Sequence, residues 1–254
     1  MILGIFDSGI GGLTVLKEIL KKNSFDKIIY FGDTARLPYG EKSKEELLDI
    51  AKENVDFLLS KGAEKIVIAC GTVSSNVLEE LKKDYNIEII GIVDALIEGA
   101  KEKTINNKIG IIATSATIKT HIFKSKLNGY HAYEMSCPKF TPLIESGKLD
   151  SKEMDDAINE YLKPLKDEGV DTLILGCTHY PILSKKIKKY FDYPINLINS
   201  GVIIADNLFD GKIKNPELEI YCSGSIEDFK NNSKYLEIEN INEIKKYWVL
   251  KSFI

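Results

Sequence analysis

A chain of 254 residues with a net charge of −4, 44% hydrophobic and 28% charged, has the composition of a globular protein and the length for two α/β lobes, each with its own core. No basic cluster offers an electrostatic footprint for nucleic acid or an anionic membrane, so neither partner is expected. No stretch approaches the roughly 18 apolar residues of a membrane span, and the first apolar run stops at Asp7 without a basic leader, so a cytoplasmic location is expected.

Strand and helix signals alternate from end to end, the pattern of a parallel sheet with crossover helices. Ile2 to Phe6 reads as a strand, Gly11 to Leu20 opens a helix, and Ile28 to Phe31 is a second strand leading into the polar loop Gly32 to Gly40. Ser43 and Glu46 form a capping box for a helix whose Leu47, Leu48, Ala51, Val55, Leu58 and Leu59 make one apolar face. Lys65 to Ala69 is a third strand, followed by the Cys70 loop and a helix through Leu81; Ile87 to Ile92 is a fourth, with a crossing between lobes at Val93-Asp94. The second lobe begins with a strand at Lys108 to Ala113, a helix from about Thr117 and a short strand near Ala132 to Met135. A helix from Ser151 to Lys166 follows, with Pro164 expected to kink or shorten its last turn. Thr172 to Leu175 is a strand, Pro181 suits the first turn of a helix, and Ile195 to Ile198 closes the lobe at Asn199-Ser200-Gly201. Leu218 to Cys222, a helix capped by Ser225 and Asp228, and a strand at Tyr247-Trp248-Val249-Leu250 then complete the first lobe's sheet. The expected fold is α/β: two similar lobes, each a mainly parallel sheet flanked by helices. The first comprises 1–93 with 206–254 and carries Cys70; the second comprises 94–205 and carries Cys177.

The lobes are expected to be related by a pseudo-twofold duplication. Ile66-Val67-Ile68-Ala69-Cys70-Gly71-Thr72 and Leu173-Ile174-Leu175-Gly176-Cys177-Thr178-His179 are both apolar runs ending in a small residue, a cysteine and hydrogen-bonding groups, and the cysteines lie 107 positions apart. Gly4-Ile5-Phe6-Asp7-Ser8 aligns with Gly110-Ile111-Ile112-Ala113-Thr114 at an offset of 106, and Gly40 with Gly147 at 107. Each thiol is thus placed at the carboxyl end of a buried strand, where α/β proteins bind ligands. Two such thiols facing each other suit the transfer of a proton from one face of a carbon to the other.

The four cysteines, Cys70, Cys137, Cys177 and Cys222, fit neither a zinc pattern nor a secreted disulfide framework. Cys70 and Cys177 each sit where a strand hands over to a helix, an environment expected to lower a thiol's pKa; Cys137 and Cys222 lack such a setting and read as structural. His179 lies two residues beyond Cys177, whereas His121 and His131 read as surface and loop residues. Asp7 is a carboxylate in an apolar turn, costly unless hydrogen-bonded or working. Gly9-Ile10-Gly11-Gly12-Leu13-Thr14, with Asp33 about twenty residues on, invites a dinucleotide reading, but Thr14 breaks the fingerprint at its third small position. Arg36 is the sole arginine, so a carboxylate ligand is expected to be held by backbone N–H groups and Ser or Thr hydroxyls.

Ile5-Phe6-Asp7-Ser8-Gly9-Ile10-Gly11-Gly12, Tyr30-Phe31-Gly32-Asp33-Thr34-Ala35-Arg36-Leu37-Pro38-Tyr39-Gly40 and Gly176-Cys177-Thr178-His179-Tyr180-Pro181 resemble the three signature segments of the glutamate racemases. The resemblance covers essentially the whole chain. It implies racemisation of L-glutamate to D-glutamate for peptidoglycan, without pyridoxal phosphate, other cofactor or metal, by a homodimer. It further implies that Cys70 takes the proton from D-glutamate and Cys177 from L-glutamate, with Asp7 assisting the first and His179, with Glu145, the second. Asp7, Ser8, Pro38, Tyr39, Gly40, Gly71, Thr72, Thr178 and His179 match the family's substrate-contact positions. One position departs: Gly71 stands where the family usually has Asn, so a side-chain amide is missing while the backbone N–H and Thr72 remain. Deviation from ordinary glutamate racemisation is therefore expected first on the Cys70 side. A related racemase acting on aspartate, a thiol-dependent amidase and a two-lobed binding protein are the alternatives.

Overall fold

The structure is a computed structural model and describes residues 1–22, 24–209, 215–236 and 244–247. The first half contains β1 (Ile2–Asp7), α1 (Leu13–Lys22), β2 (Lys27–Gly32), α2 (Lys44–Ser60), β3 (Lys65–Ile68), α3 (Gly71–Asn76), α4 (Leu78–Asp84) and β4 (Glu88–Gly91). From there α5 (Ile92–Lys103) leads to β5 (Lys108–Ala113), α6 (Ser115–Lys119), α7 (Ile122–Lys126), β6 (His131–Ser136), α8 (Phe140–Glu145), α9 (Lys152–Asp167), β7 (Thr172–Leu175), α10 (Ser184–Tyr190) and β8 (Asn196–Ile198). The chain returns through α11 (Ser200–Leu208) to β9 (Glu217–Cys222), α12 (Ile226–Ser233) and β10 (Ile244–Lys246).

Among the described residues two wholly parallel sheets result, ordered β10-β9-β2-β1-β3-β4 and β6-β5-β7-β8. The order β2-β1-β3-β4 recurs as β6-β5-β7-β8, and the register recurs with it: Leu3 pairs with Lys65 as Ile109 pairs with Thr172. The duplication read from the sequence is thus a duplication of strand order and register. Its third pair is not equivalent in space: Gly40 lies in a 3-10 turn, whereas Gly147 follows α8 with φ of 71°.

Local chemistry explains the main elements. The Ser43 hydroxyl accepts from the Glu46 N–H at 3.2 Å and the Glu46 carboxylate accepts from the Ser43 N–H at 2.9 Å, the capping box that starts α2. Leu47, Ile50, Ala51, Val55 and Leu58 bury the face behind it, while Leu48 and Leu59 are only partly covered. Along β1, Leu3 and Ile5 enter a core between the two sheets and Phe6 enters one on the outer side, the two-residue alternation of a strand. The core between the sheets takes Leu13, Leu16 and Ile19 from α1, Ile92, Leu96 and Ala100 from α5, Ile204 from α11, and Ile109, Ile111, Ile174 and Ile198 from the smaller sheet. The division proposed for the lobes, 1–93 with 206–254 against 94–205, passes through α5 and α11.

Several elements differ from the sequence reading. The helix expected through Leu81 is two helices, broken at Val77, whose φ of −136° is not helical. The segment after Thr117 breaks likewise, at His121 in the left-handed region. α9 runs through Pro164 to Asp167. The strand completing the larger sheet is Ile244–Lys246, with Tyr247 just beyond it; residues 248–250 of the expected strand lie outside the described residues. Val93 and Asp94, read as the crossing, fall in the first turn of α5. Among the described residues no helix is long and apolar enough to cross a membrane.

Candidate active site

The carboxyl ends of β1, β3, β5 and β7 converge on one cavity. It is lined by Ser8, Leu37, Pro38, Tyr39, Gly40, Glu41, Cys70, Gly71, Thr72, Thr114, Ser115, Cys137, Pro138, Thr141, Pro142, Cys177, Thr178 and His179. Cys70 and Cys177 reach it from equivalent strands of the two sheets and are 4% and 7% exposed. Of the expected contact residues, Ser8, Pro38, Tyr39, Gly40, Gly71, Thr72, Thr178 and His179 line the cavity. Asp7 does not. It lies beneath the wall, fully buried, with its carboxylate accepting from the Gly9 N–H and the Thr178 hydroxyl, both at 3.0 Å. Glu145 also stands outside the lining, behind His179.

On one side the Cys177 Sγ lies 3.6 Å from His179 Nδ1 and 3.8 Å from the Thr141 hydroxyl, and His179 Nε2 lies 2.6 Å from the Glu145 carboxylate. Burial opposes charge on the His179 ring, but the hydrogen bonds and charges of Cys177 and Glu145 win and hold its pKa well above the usual histidine value. Gly11 explains the glycine-rich loop: a Cβ there would lie 2.5 Å from both His179 Nδ1 and the Thr178 hydroxyl oxygen. Gly9 likewise faces Glu145 and Gly12 faces Asp7 and Tyr30, so the loop is bare because side chains of the site pack on it.

On the other side Cys70 immediately precedes α3. The sequence reading expected the helix start to lower its pKa. Instead burial, reinforced by the Asp7 charge, pushes the thiol up to about 12, against hydrogen bonds from the Val73 N–H and the Ser8 hydroxyl that pull it down. Asp7 is itself raised, by burial, although His179, the Gly9 and Gly12 N–H groups and Thr178 favour its charged form.

A third thiol, Cys137, was read as structural yet forms part of the cavity wall. Its burial, and then the Cys177 charge, raise its pKa well above the ordinary value. Cys222 packs in the core between the sheets. His121 is an exposed partner of Glu134 at 2.7 Å, and His131 is an exposed residue opening β6. All four cysteines are free.

The loop carrying Pro38, Tyr39 and Gly40 is held by the sole arginine. Arg36 donates to Asp33 at 2.5 Å, Glu53 at 2.5 Å and Asn54 at 2.8 Å, while buried Asp33 also accepts from the Tyr39 hydroxyl and from Ser223 at 2.6 Å. With its carboxylate so committed, Asp33 is not available to a ribose. None of the lining residues is Lys or Arg, so hydroxyls and N–H groups are left to hold an anion. A hydroxyl chain crosses between the halves, Thr72 to Thr114 at 2.9 Å, Thr114 to Thr117 at 3.0 Å and Ser75 to Thr117 at 3.2 Å. Among the described residues, no group of three His, Cys, Asp or Glu side chains is placed to hold a metal ion.

Sequence reasoning missed Leu37, Glu41, Thr114, Ser115, Pro138, Thr141 and Pro142 as lining residues. Thr114 carried a signal, for it occupies the place of Ser8 in the repeat at the offset of 106. Pro138, Thr141 and Pro142 carried none, since they arrive through α8, a short helix with no periodic pattern.

A family model described as Asp/Glu/Hydantoin racemase matches residues 16–208. A glutamate racemase of Persephonella marina is 43% identical over 208 residues, which cover 81% of this chain and 80% of that protein. The solved structure of a glutamate racemase isoform from Bacillus anthracis is similar with a TM-score of 0.89 at 31% identity, covering 98% of this chain and 97% of that one. That of Francisella tularensis glutamate racemase in complex with D-glutamate is similar with a TM-score of 0.85 at 30% identity, covering 97% and 96%. With the family model spanning most of the chain and such relatives along nearly its whole length, this chain belongs to the Asp/Glu/Hydantoin racemase family and, within it, to the glutamate racemases.

Proposed function

We propose that this enzyme interconverts L- and D-glutamate by moving a proton across Cα between Cys70 and Cys177, with no cofactor. The observation that carries the reading is the placement of two buried thiols at equivalent strand ends of one cavity. For L-glutamate, Cys177 as thiolate takes the Cα proton: the C–H bond breaks, an S–H bond forms, and the electron pair spreads into the substrate carboxylate. The Cys70 thiol then delivers its own proton to the opposite face, and the roles reverse for D-glutamate. His179 takes the proton that Cys177 must lose beforehand, and Glu145 steadies the resulting imidazolium. Asp7 governs Cys70 through charge, since a proton on Asp7 removes a neighbouring negative charge that keeps Cys70 from ionising. The raised Cys70 pKa keeps that thiol protonated, as the acid that completes inversion of L-glutamate must be.

Substrate binding falls to Ser8, Thr72, Thr114 and Thr178 and to the N–H groups beside the two cysteines, with Pro38, Tyr39 and Gly40 forming the wall. The complex of the Francisella relative with D-glutamate supports glutamate as the ligand. The same reading includes a homodimer working in the cytoplasm and supplying D-glutamate for peptidoglycan. A second reading has one observation in its favour: Cys177, His179 and Glu145 form a chain of the kind that activates a thiol for thioester formation. Incubation with L-glutamate in deuterated water without cofactor separates the two. Inversion with one deuterium at Cα is expected, abolished by Cys70→Ser and by Cys177→Ser. Ammonia release would favour the amidase, a higher rate on aspartate the sibling racemase, and retention of both protium and L configuration would overturn racemisation.

A further inference from the structure

Gly71 follows Cys70 and Gly176 precedes Cys177, and the two thiol-bearing loops meet at this pair, main chain against main chain. A Cβ on Gly71 would lie 2.1 Å from the Gly176 carbonyl oxygen and 3.2 Å from its carbonyl carbon. Gly176 is anchored, its N–H donating to the Ile112 carbonyl at 2.8 Å beside the sheet that carries it. The obstacle is therefore backbone fixed to β5, not a side chain that can turn aside. Gly71 is the first residue of α3 and does not have a left-handed φ, so its conformation is open to any L-residue. In this chain it is the contact, not the backbone conformation, that a side chain would disturb.

We infer that Gly71 is a positioning residue that sets the depth of closure between the two cysteine loops, and with it the distance from each thiol to the substrate Cα. This rests on the racemase reading, because only a reaction using both thiols is sensitive to their separation. A carbon brought from 2.1 Å to ordinary contact, about 3.5 Å, must push the loops apart by roughly 1.4 Å. Proton transfer tolerates little of that, since a misplacement of about 1 Å costs on the order of a hundredfold in rate. The glycine thereby stands where the resemblance led us to expect an amide side chain, and the short path between the loops takes the place of that side chain's grip.

The test uses the full chain with Gly71→Ala and Gly71→Ser, measuring kcat and KM for glutamate in both directions, the melting temperature, and the rate at which iodoacetamide labels Cys70 and Cys177 in the free enzyme. Both variants are expected to melt below the parent temperature because anchored backbone must shift, yet to stay folded in the assay, to lose about a hundredfold in kcat with a smaller change in KM, and to label faster at both thiols because the cavity stands open. Unchanged kcat and labelling would overturn the inference. Lost rate with unchanged labelling, or a variant already unfolded at the assay temperature, would overturn it too, because parting of the loops would then not explain the lost rate. If the parent enzyme failed to racemise glutamate, the functional reading would fall, while the labelling rates would still report whether position 71 sets the separation.

Discussion

Between the Cys177 thiol and the Glu145 carboxylate, His179 can hold a proton from one partner only with the support of the other. Burial alone would keep the ring neutral, and the two partners reverse that outcome. A folded histidine whose pKa is raised binds its proton more tightly than the unfolded chain does. The stability it contributes is therefore full below the unfolded value of about 6.5 and is lost as pH rises through the raised folded value. Glu145→Gln removes a charge-assisted hydrogen bond, worth about 1.5–3 kcal/mol, and lowers the His179 pKa. The expected outcome is a fall of roughly 10- to 100-fold in kcat/KM, equal in both directions because the two enantiomers have equal free energies. Deuterium wash-in to L-glutamate, the half-reaction assigned to Cys177, should fall with it. Calorimetric melting above pH 6.5 should decline less steeply with pH in the variant than in the parent, and an NMR titration of His179 would show the lowered pKa directly. Unchanged melting profiles would mean that Glu145 does not govern the ring.

The segment from Asp33 to Glu41 behaves as a unit because a buried carboxylate must be neutralised. Asp33 has no exposure, and Arg36 is the cation beside it. Arg36→Met strands that charge and should cost about 3–5 kcal/mol of stability, read as a lower urea midpoint, with a higher KM because Pro38, Tyr39 and Gly40 lose their anchor. Arg36→Lys should fall between, since an ammonium cannot reach Asp33, Glu53 and Asn54 at once as the guanidinium fork does. Ser43→Ala provides the contrast: loss of the α2 cap should cost about 1 kcal/mol and leave kcat/KM unchanged, because Ser43 is remote from the cavity. The α2 cap was legible in the sequence because a capping box is a local event, complete within four residues. The Asp33–Arg36 network was legible only as an oddity, a lone arginine, because its partners come from two other stretches of chain, Glu53 and Asn54 from α2 and Ser223 from beyond β9. The break at Val77 was hidden by apolar residues that continue helical periodicity across it.

Across the whole molecule, the parts that repeat were readable and the parts that join the repeats were not. The strands of both halves announced themselves as apolar runs at one offset, whereas α5 and α11, which join the halves, escaped notice. In α5 the cause is the run from Ile89 to Val93, apolar on both sides of the strand end at Gly91, which conceals where β4 stops and the helix starts. These joining helices decide whether the halves act together, for α5 buries Ile92, Leu96 and Ala100 in a core that also takes Leu3 and Ile5 from one sheet and Ile109 and Ile174 from the other. Cross-lobe polar contacts reinforce it, the Thr14 hydroxyl donating to the Thr178 carbonyl at 3.1 Å and the Thr178 hydroxyl donating to Asp7 at 3.0 Å. Shared apolar packing couples the stability of two sheets, because a cavity opened at the seam removes contacts from both. Leu96 is fully buried there, so Leu96→Ala should cost about 2–5 kcal/mol. Native-state hydrogen exchange locates the loss: amides of β1 and of β5 should both exchange faster, and by a similar factor, if one cooperative unit spans the seam. Acceleration confined to β5 would show instead that each sheet opens independently and that closure of the site rests on the polar contacts alone.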